Sequence, residues 1–311
     1  MNEILLWCEK YRPRSINDCI LPENIKKTFQ QFVEKGEVPN LLLSGTAGTG
    51  KTTVARAMLE ETNSDYILIN GSMSGDMDTL RNEIATYAST VSFGGGRKYV
   101  ILDEADHLTP KVMASLRGFI EEFSSNCSFI LTCNFKDRII EPLHSRCACI
   151  VFNYSKEEKN SLAVQFLKRV MGILDKEGIT YDKKVVAELV KRYYPDGRRV
   201  INELQRYAAG GDIDSGILNH QGSSALKVLI PMMKNKEFSK VREWIGQNSD
   251  MNVSELYKSF YEHGNSYFIP SSLPLVVVTL AKYQFQDAFV ADKEINLAAC
   301  LIEIMSDAEF Q

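Results

Sequence analysis

Residues Gly45-Thr46-Ala47-Gly48-Thr49-Gly50-Lys51-Thr52 form a complete G-x-x-x-x-G-K-[ST] sequence, and these residue types suit the grip of a polyphosphate. Glycines let a backbone wrap closely round an anion and turn its N–H groups inward. A lysine at this place reaches the β- and γ-phosphates, and the hydroxyl of Thr52 is a ligand for Mg²⁺. The flanks agree. Leu41-Leu42-Leu43 suits a buried strand, and Thr53 to Leu59 suits a helix whose N-terminus adds partial positive charge. The chain is expected to bind a nucleoside triphosphate together with Mg²⁺.

Leu102-Asp103-Glu104-Ala105-Asp106 ends a further apolar run with adjacent carboxylates. Hydrolysis needs one carboxylate to organise the metal and its waters, the role that suits Asp103. It needs a second to orient and deprotonate the attacking water, the role that suits Glu104. Asn134 follows the apolar run Phe129 to Cys133, which places it to reach a γ-phosphate or the lytic water. Arg146, in His144-Ser145-Arg146-Cys147, reads by itself as an ordinary surface arginine. Cys147 and Cys149 form a C-x-C pair without a second ligand pair, so they are read as small buried residues beside a strand rather than as zinc ligands.

The elements that must position these groups follow from the apolar pattern. Leu41 to Leu43, Tyr66 to Asn70, Tyr99 to Asp103, Ser128 to Cys133 and Ala148 to Phe152 are short apolar runs separated by helical stretches near 79–88 and 111–123. That alternation predicts a parallel sheet covered on both faces, an α/β fold. Gly94-Gly95-Gly96 interrupts it. Beyond Tyr154 only helical periodicity remains, opened by a capping box at Ser155 and Glu158. The expected division is a nucleotide-binding domain over 1–153, a small helical domain over 154–222 and a second helical domain over 223–311.

Bulk properties narrow the class. The chain has 311 residues and a formal net charge of −4, so nucleic-acid binding requires a local patch rather than overall charge. Seven cysteines, an odd number, fit reduced thiols better than a disulfide framework. The start, Met1 to Trp7, does not read as a secretory signal, and no apolar run reaches membrane-spanning length. A cytoplasmic protein without membrane contact is expected.

Taken with Ile139-Ile140-Glu141-Pro142-Leu143-His144-Ser145-Arg146-Cys147, the phosphate loop, the Asp103–Asp106 run and Asn134 resemble the AAA+ ATPases of sliding-clamp loaders, with the phage branch of that family most similar. Glu9-Lys10-Tyr11-Arg12-Pro13 looks like the family's opening motif. Pro195-Asp196-Gly197-Arg198-Arg199-Val200-Ile201-Asn202-Glu203-Leu204 is similar to its second sensor helix. The resemblance implies a P-loop NTPase domain with a five-stranded sheet, then a lid, then a helical collar. It implies nucleotide contacts from Tyr11, Arg12, Pro13, the loop Gly45 to Thr53 and Arg198. Lys51, Glu104, Asn134 and Arg146 would carry catalysis, Arg146 as an arginine finger acting on a neighbouring subunit's site. Thr52 and Asp103 would support the metal.

The same resemblance implies a sliding clamp, primer–template DNA and four copies with one smaller companion subunit as partners, in the cytoplasm of an infected host. Arg81 and Lys111 would contact DNA. The chain departs from the family pattern at Ser74-Gly75-Asp76, where a basic residue near the DNA is expected, and the carboxylates of Asp76 and Asp78 are expected to weaken that contact. It departs again at Gly197, where loss of a bulkier apolar residue is expected to loosen the packing. Three rivals stand beside this reading. A DEAD-box helicase would need a second sheet-bearing lobe, and another AAA+ DNA-remodelling machine, of origin-loader or branch-migration type, usually appends a winged helix. A non-catalytic scaffold would have no use for the intact chemistry.

Overall fold

A computed structural model describes residues 6–72, 77–90, 96–214, 217, 221–249 and 251–311. The segment Ser74-Gly75-Asp76, Gly94 and Gly95 lie outside the described residues, as does the side chain of Asp78. The chain divides into two compact units, 1–214 and 215–311.

In the first unit the apolar runs become β1 (Leu41–Ser44), β2 (Tyr66–Asn70), β3 (Lys98–Asp103), β4 (Cys127–Cys133) and β5 (Ala148–Val151). They pair in parallel in the order β2-β3-β4-β1-β5. Leu42 sits beside Leu131 and Cys149, and Asn70 beside Asp103. Side chains alternate across such strands with period two. Leu42, Val100, Leu102, Phe129 and Leu131 accordingly pack on one face, while Leu41, Leu43, Tyr99, Ile101 and Ile130 pack on the other. The central strands β1 and β4 are buried at every position, whereas β5 is an edge strand with Ala148, Cys149 and Val151 exposed.

The helices are α1 (Trp7–Lys10), α2 (Glu23–Lys35), α3 (Lys51–Glu61), α4 (Met77–Ser89), α5 (Pro110–Glu122) and α6 (Glu141–His144). Phe29 of α2 and Val54, Met58 and Leu59 of α3 cover one sheet face. Leu80 and Ile84 of α4, with Val112 and Leu116 of α5, cover the other. Thr109 caps α5 by accepting the Val112 N–H, and Pro110 follows at the first helical position, where its missing N–H costs nothing.

Three helices complete this unit: α7 (Lys156–Glu177), α8 (Lys183–Tyr193) and α9 (Gly197–Ala208). The capping box forms, with Ser155 Oγ accepting the Glu158 N–H and the Glu158 carboxylate accepting the Ser155 N–H at 2.8 Å. The core of this helical part comes from Val170, Ile173 and Leu174, Val186, Leu189 and Val190, and Val200 and Leu204. Asp196 caps α9, its Oδ1 accepting the Arg199 N–H at 3.0 Å.

Gly197 corrects one expectation. A Cβ at that position would lie 2.9 Å from Phe166 Cζ, so the aromatic ring of α7 fills the space and the packing is close rather than loose.

The second unit, taken by itself, holds α10 (Gln221–Lys234), α11 (Phe238–Gln247), α12 (Val253–His263), α13 (Leu273–Gln286) and α14 (Lys293–Asp307). Its core includes Leu229, Met233, Val241, Leu256, Phe260, Phe268, Leu280, Cys300 and Leu301. Val278, Phe285, Phe289, Ile295 and Ile302 are large apolar residues left exposed on or beside α13 and α14.

Candidate active site

Parallel α/β sheets place their ligand crevice at the carboxyl ends of the strands, where neighbouring strands lead their connections in opposite directions. Here that point lies between β1, whose chain goes on to β2, and β4, whose chain crosses over to β5. The phosphate loop leaves β1, the acidic run leaves β3, and Asn134 leaves β4, so all three sequence signals arrive at one place.

One cleft joins them. It is lined by Tyr11, Arg12 and Pro13, by Ala47 to Thr53, by Asp103, Glu104 and Asn134, and by Arg198. Gly45 and Thr46 are not in its wall, but their carbonyls accept the Lys51 ammonium at 2.8 and 2.9 Å. Lys51 Nζ also donates to Asn134 Oδ1 at 3.0 Å. Lys51 is buried, and that burial pushes its ammonium below the ordinary value despite the nearby carboxylates of Asp103 and Asp106. Thr52 Oγ1 donates to Asp103 Oδ1 at 2.6 Å, which brings the two metal-directed groups of the sequence reading together.

Gly48 shows why this loop needs glycine. Its φ is +75°, and a Cβ would fall 1.8 Å from Asp196 Oδ1. The Gly48 carbonyl accepts the Gly197 N–H at 3.2 Å, so the phosphate loop abuts the start of α9 directly. This contact carries Arg198 to the cleft. The loop backbone, an ammonium, a hydroxyl and a carboxylate fit a triphosphate with one hard divalent cation, whose preferred ligands are oxygens.

The N-terminal motif reaches the cleft through the helices rather than through the sheet. Trp7 N–H donates to Gln205 Oε1 of α9 at 2.9 Å, and both Lys10 and Tyr11 bond Glu177 of α7. Arg169 of α7 holds the Tyr11 carbonyl at 2.9 Å and the Asp18 carbonyl at 2.6 Å. Arg169 also lines the cleft, as do the aromatic residues Tyr154, Phe166 and Tyr194. None of these four was singled out as a site residue from sequence. Arg169 carries no sequence signal beyond a charge on an amphipathic helix, and single aromatic residues carry none that marks a site.

Two more residues are placed by the fold alone. Asp106 is buried, and its Oδ2 accepts the backbone N–H groups of Asn134 and Phe135 at 3.2 and 3.1 Å. Thr132 bonds both Asp103 and the Glu104 N–H. For Asp106 the signal was its place in the acidic run, and for Thr132 it was a single hydroxyl within an apolar strand.

Arg146 is not in the cleft. It follows α6 near the sheet edge, where Nε donates to Glu121 Oε1 at 2.9 Å and Nη1 to the Pro142 carbonyl at 2.8 Å. The arginine holds the Glu121 carboxyl below its usual range. Arg81 on α4 and Lys111 on α5 are exposed and likewise outside the cleft.

Cys147 is buried, but Cys149, expected to be buried too, is exposed because β5 is an edge strand. Its Sγ lies 3.8 Å from His144 Nδ1. Among the described residues no group of three or more His, Cys, Asp or Glu side chains could hold a metal ion.

A five-stranded parallel sheet with its phosphate loop on β1, acidic run on β3 and asparagine on β4, roofed by a helical domain, defines an AAA+ ATPase. The profile of the ATPase family associated with various cellular activities matches residues 41–154, and that of the sliding-clamp-loader large subunit AAA+ ATPase lid domain matches residues 158–219. The chain is 35% identical over 311 residues to the sliding-clamp-loader large subunit of Enterobacteria phage T4, covering 97% of this chain and 96% of that protein. It is 42% identical over 242 residues to the same subunit of Escherichia phage RB69, 75% of each. It is 30% identical over 320 residues to the replication factor C small subunit of Sulfurisphaera tokodaii, covering 98% of this chain and 96% of that one. The chain belongs to the sliding-clamp-loader family of AAA+ ATPases.

The Thermotoga maritima RuvB Holliday junction branch migration motor has the same fold at a TM-score of 0.52 and 18% identity, covering 83% of this chain and 93% of that one. That likeness is one of fold alone. No helix among the described residues is long and apolar enough to cross a membrane.

Proposed function

We propose that this chain is the repeated ATPase subunit of a loader that places a ring-shaped sliding clamp on primer–template DNA. The observation that carries the proposal is the separation of the catalytic set. Lys51, Thr52, Asp103, Glu104, Asn134 and Arg198 meet in one cleft, while Arg146 stands outside it on the surface. Arg12, Arg169 and Arg198 line the cleft, but Arg146 cannot serve its own site, so a finger role for it requires a neighbouring copy and makes turnover conditional on assembly.

In this reading Lys51 and the loop backbone hold the phosphates, and Arg198 adds a contact from the roof. Tyr11, Arg12 and Pro13 border the nucleotide base. Thr52 and Asp103 would hold Mg²⁺, which would neutralise charge on the triphosphate when bound. Glu104 orients the attacking water and takes its proton, and Asn134 orients the terminal phosphate. An arginine finger supplied by the neighbour contributes about 10³–10⁵ in turnover.

ATP binding tightens the subunits round an open clamp. Primed DNA aligns each Arg146 with its neighbour's site, and hydrolysis then releases the closed clamp. The chain works as a nucleotide-binding domain (1–153), a lid (154–222) and a collar that joins subunits (223–311). Four copies assemble with one smaller companion subunit. Arg81 and Lys111 meet DNA phosphates, which position a protein without reading sequence. The setting is the cytoplasm of an infected host.

The test is steady-state ATPase activity of the chain with its co-purifying subunits, measured alone, with duplex DNA and with primer–template DNA. Stimulation by the primed junction above that by duplex is the expected result. Strong activity indifferent to DNA would overturn the loader reading.

A further inference from the structure

Thr132 is 1% exposed in a strand whose neighbouring positions, Leu131 and Cys133, are apolar. A buried hydroxyl is costly unless it is hydrogen-bonded, and this one is used twice. Its Oγ1 accepts the Glu104 N–H at 3.2 Å and donates to Asp103 Oδ1. Glu104 meanwhile has φ 55° and ψ 43°, a left-handed conformation unfavourable for a residue with a Cβ. The bond from its N–H to a rigid, fully buried strand fixes that conformation, and with it the direction in which the carboxylate leaves the backbone.

The bracing runs both ways. β4 gives the Thr132 hydroxyl to the end of β3, and the segment after β3 gives the Asp106 carboxylate to the Asn134 and Phe135 N–H groups just past β4. Two strand ends that carry different catalytic groups are thus held at a fixed spacing.

We propose that Thr132 is a positioning residue for hydrolysis, setting the orientation of Asp103 and Glu104 together through one hydroxyl. The inference rests on the assignment of Glu104 as the base. Thr132→Val keeps the β-branched shape and removes both hydrogen bonds, while Thr132→Ser keeps the hydroxyl.

The experiment compares the parent, Thr132→Val, Thr132→Ser and Glu104→Gln in the complex with companion subunits and primed DNA. It measures kcat and KM for ATP, and affinity for a fluorescent ATP analogue. Misplacing a reacting group by about 1 Å can cost about 10²-fold, so kcat of Thr132→Val is expected to fall about 10–100-fold. KM and analogue affinity should stay within about 3-fold, because Lys51, Thr52 and the loop backbone, which grip the phosphates and the metal, are left in place. Thr132→Ser should recover most of kcat.

Parent-like kcat in Thr132→Val beside an inactive Glu104→Gln overturns the proposal and leaves the base assignment standing. Equal loss in the valine and serine variants, or a parallel loss of affinity, overturns it in favour of simple packing. Parent-like turnover in Glu104→Gln overturns the base assignment, and the role of Thr132 with it. Should the valine variant not fold, Thr132→Ala repeats the comparison with serine.

Discussion

At the scale of single residues, Lys51 and Glu104 are held in different ways. Lys51 touches loop carbonyls and Asn134, whereas Glu104 is held from behind by its backbone. Glu104→Gln should therefore keep ATP affinity and lose turnover, leaving an ATP-bound complex on primed DNA. Filter binding and phosphate release from the same preparation check both halves. Arg146 is held in a third way. Its guanidinium is tied to Glu121, which is 55% exposed, so solvent screening keeps that tie weak. A phosphate group can compete for it. Arg146→Ala should bind ATP like the parent but lose the stimulation by DNA, and unchanged stimulated turnover would exclude the trans role.

At the scale of elements, caps and close contacts set where the site residues stand. The Ser155–Glu158 box starts α7, the helix that carries Phe166, Arg169 and Glu177. Ser155→Ala should lower stability by about 1 kcal/mol, seen as a shifted denaturant midpoint with unchanged slope. Backbone and hydroxyl bonds at Ser155 hold the Glu158 carboxyl below its ordinary value of 4.5. With a depressed value in the folded state, its contribution is present above that pH and lost as pH falls through the folded value. The effect of Ser155→Ala should shrink accordingly in acid. Gly48→Ala belongs to the same scale. Its Cβ would strike Asp196, the cap of α9, so the variant should weaken nucleotide binding by displacing the roof, read as a raised KM for ATP.

At the scale of the whole molecule, burial decides how the chain responds to alkali. Burial pushes the Cys19, Cys133, Cys147 and Cys300 thiols up to about 12 and Cys127 up to about 11, from an ordinary 9.0. Unfolded thiols ionise first as pH rises, so the unfolded state holds fewer protons above pH 9. This contribution to stability is whole below about 9 and lost between about 9 and 12. The thiols should leave thermal melts unchanged below about pH 9 and lower them steeply between about 9 and 12. Cys149, exposed on β5, should be alkylated first in the native protein, as peptide mass spectrometry would show. The second unit exposes Val278, Phe285 and Phe289. If it joins subunits as proposed, Phe285→Asp should reduce assembly in light scattering while leaving each chain folded.

The same scales separate what was legible in the sequence from what was not. The phosphate loop, the acidic run, the strands and the capping box are local, written in contiguous residues whose spacing follows backbone geometry and elementary charge chemistry. The sequence alone therefore determined the nucleotide chemistry, the parallel sheet and the helical roof. It could not determine which strands become neighbours, because strand order arises from long-range packing. That order sets Thr132 beside Asp103 and Glu104, brings Asp106 to the Asn134 backbone, closes Gly48 against Asp196, and leaves Cys149 at an open edge. Local pattern marked which groups are candidates for the site. Only the tertiary structure decided what holds them, because a buried hydroxyl or carboxylate is satisfied by partners far away in the chain.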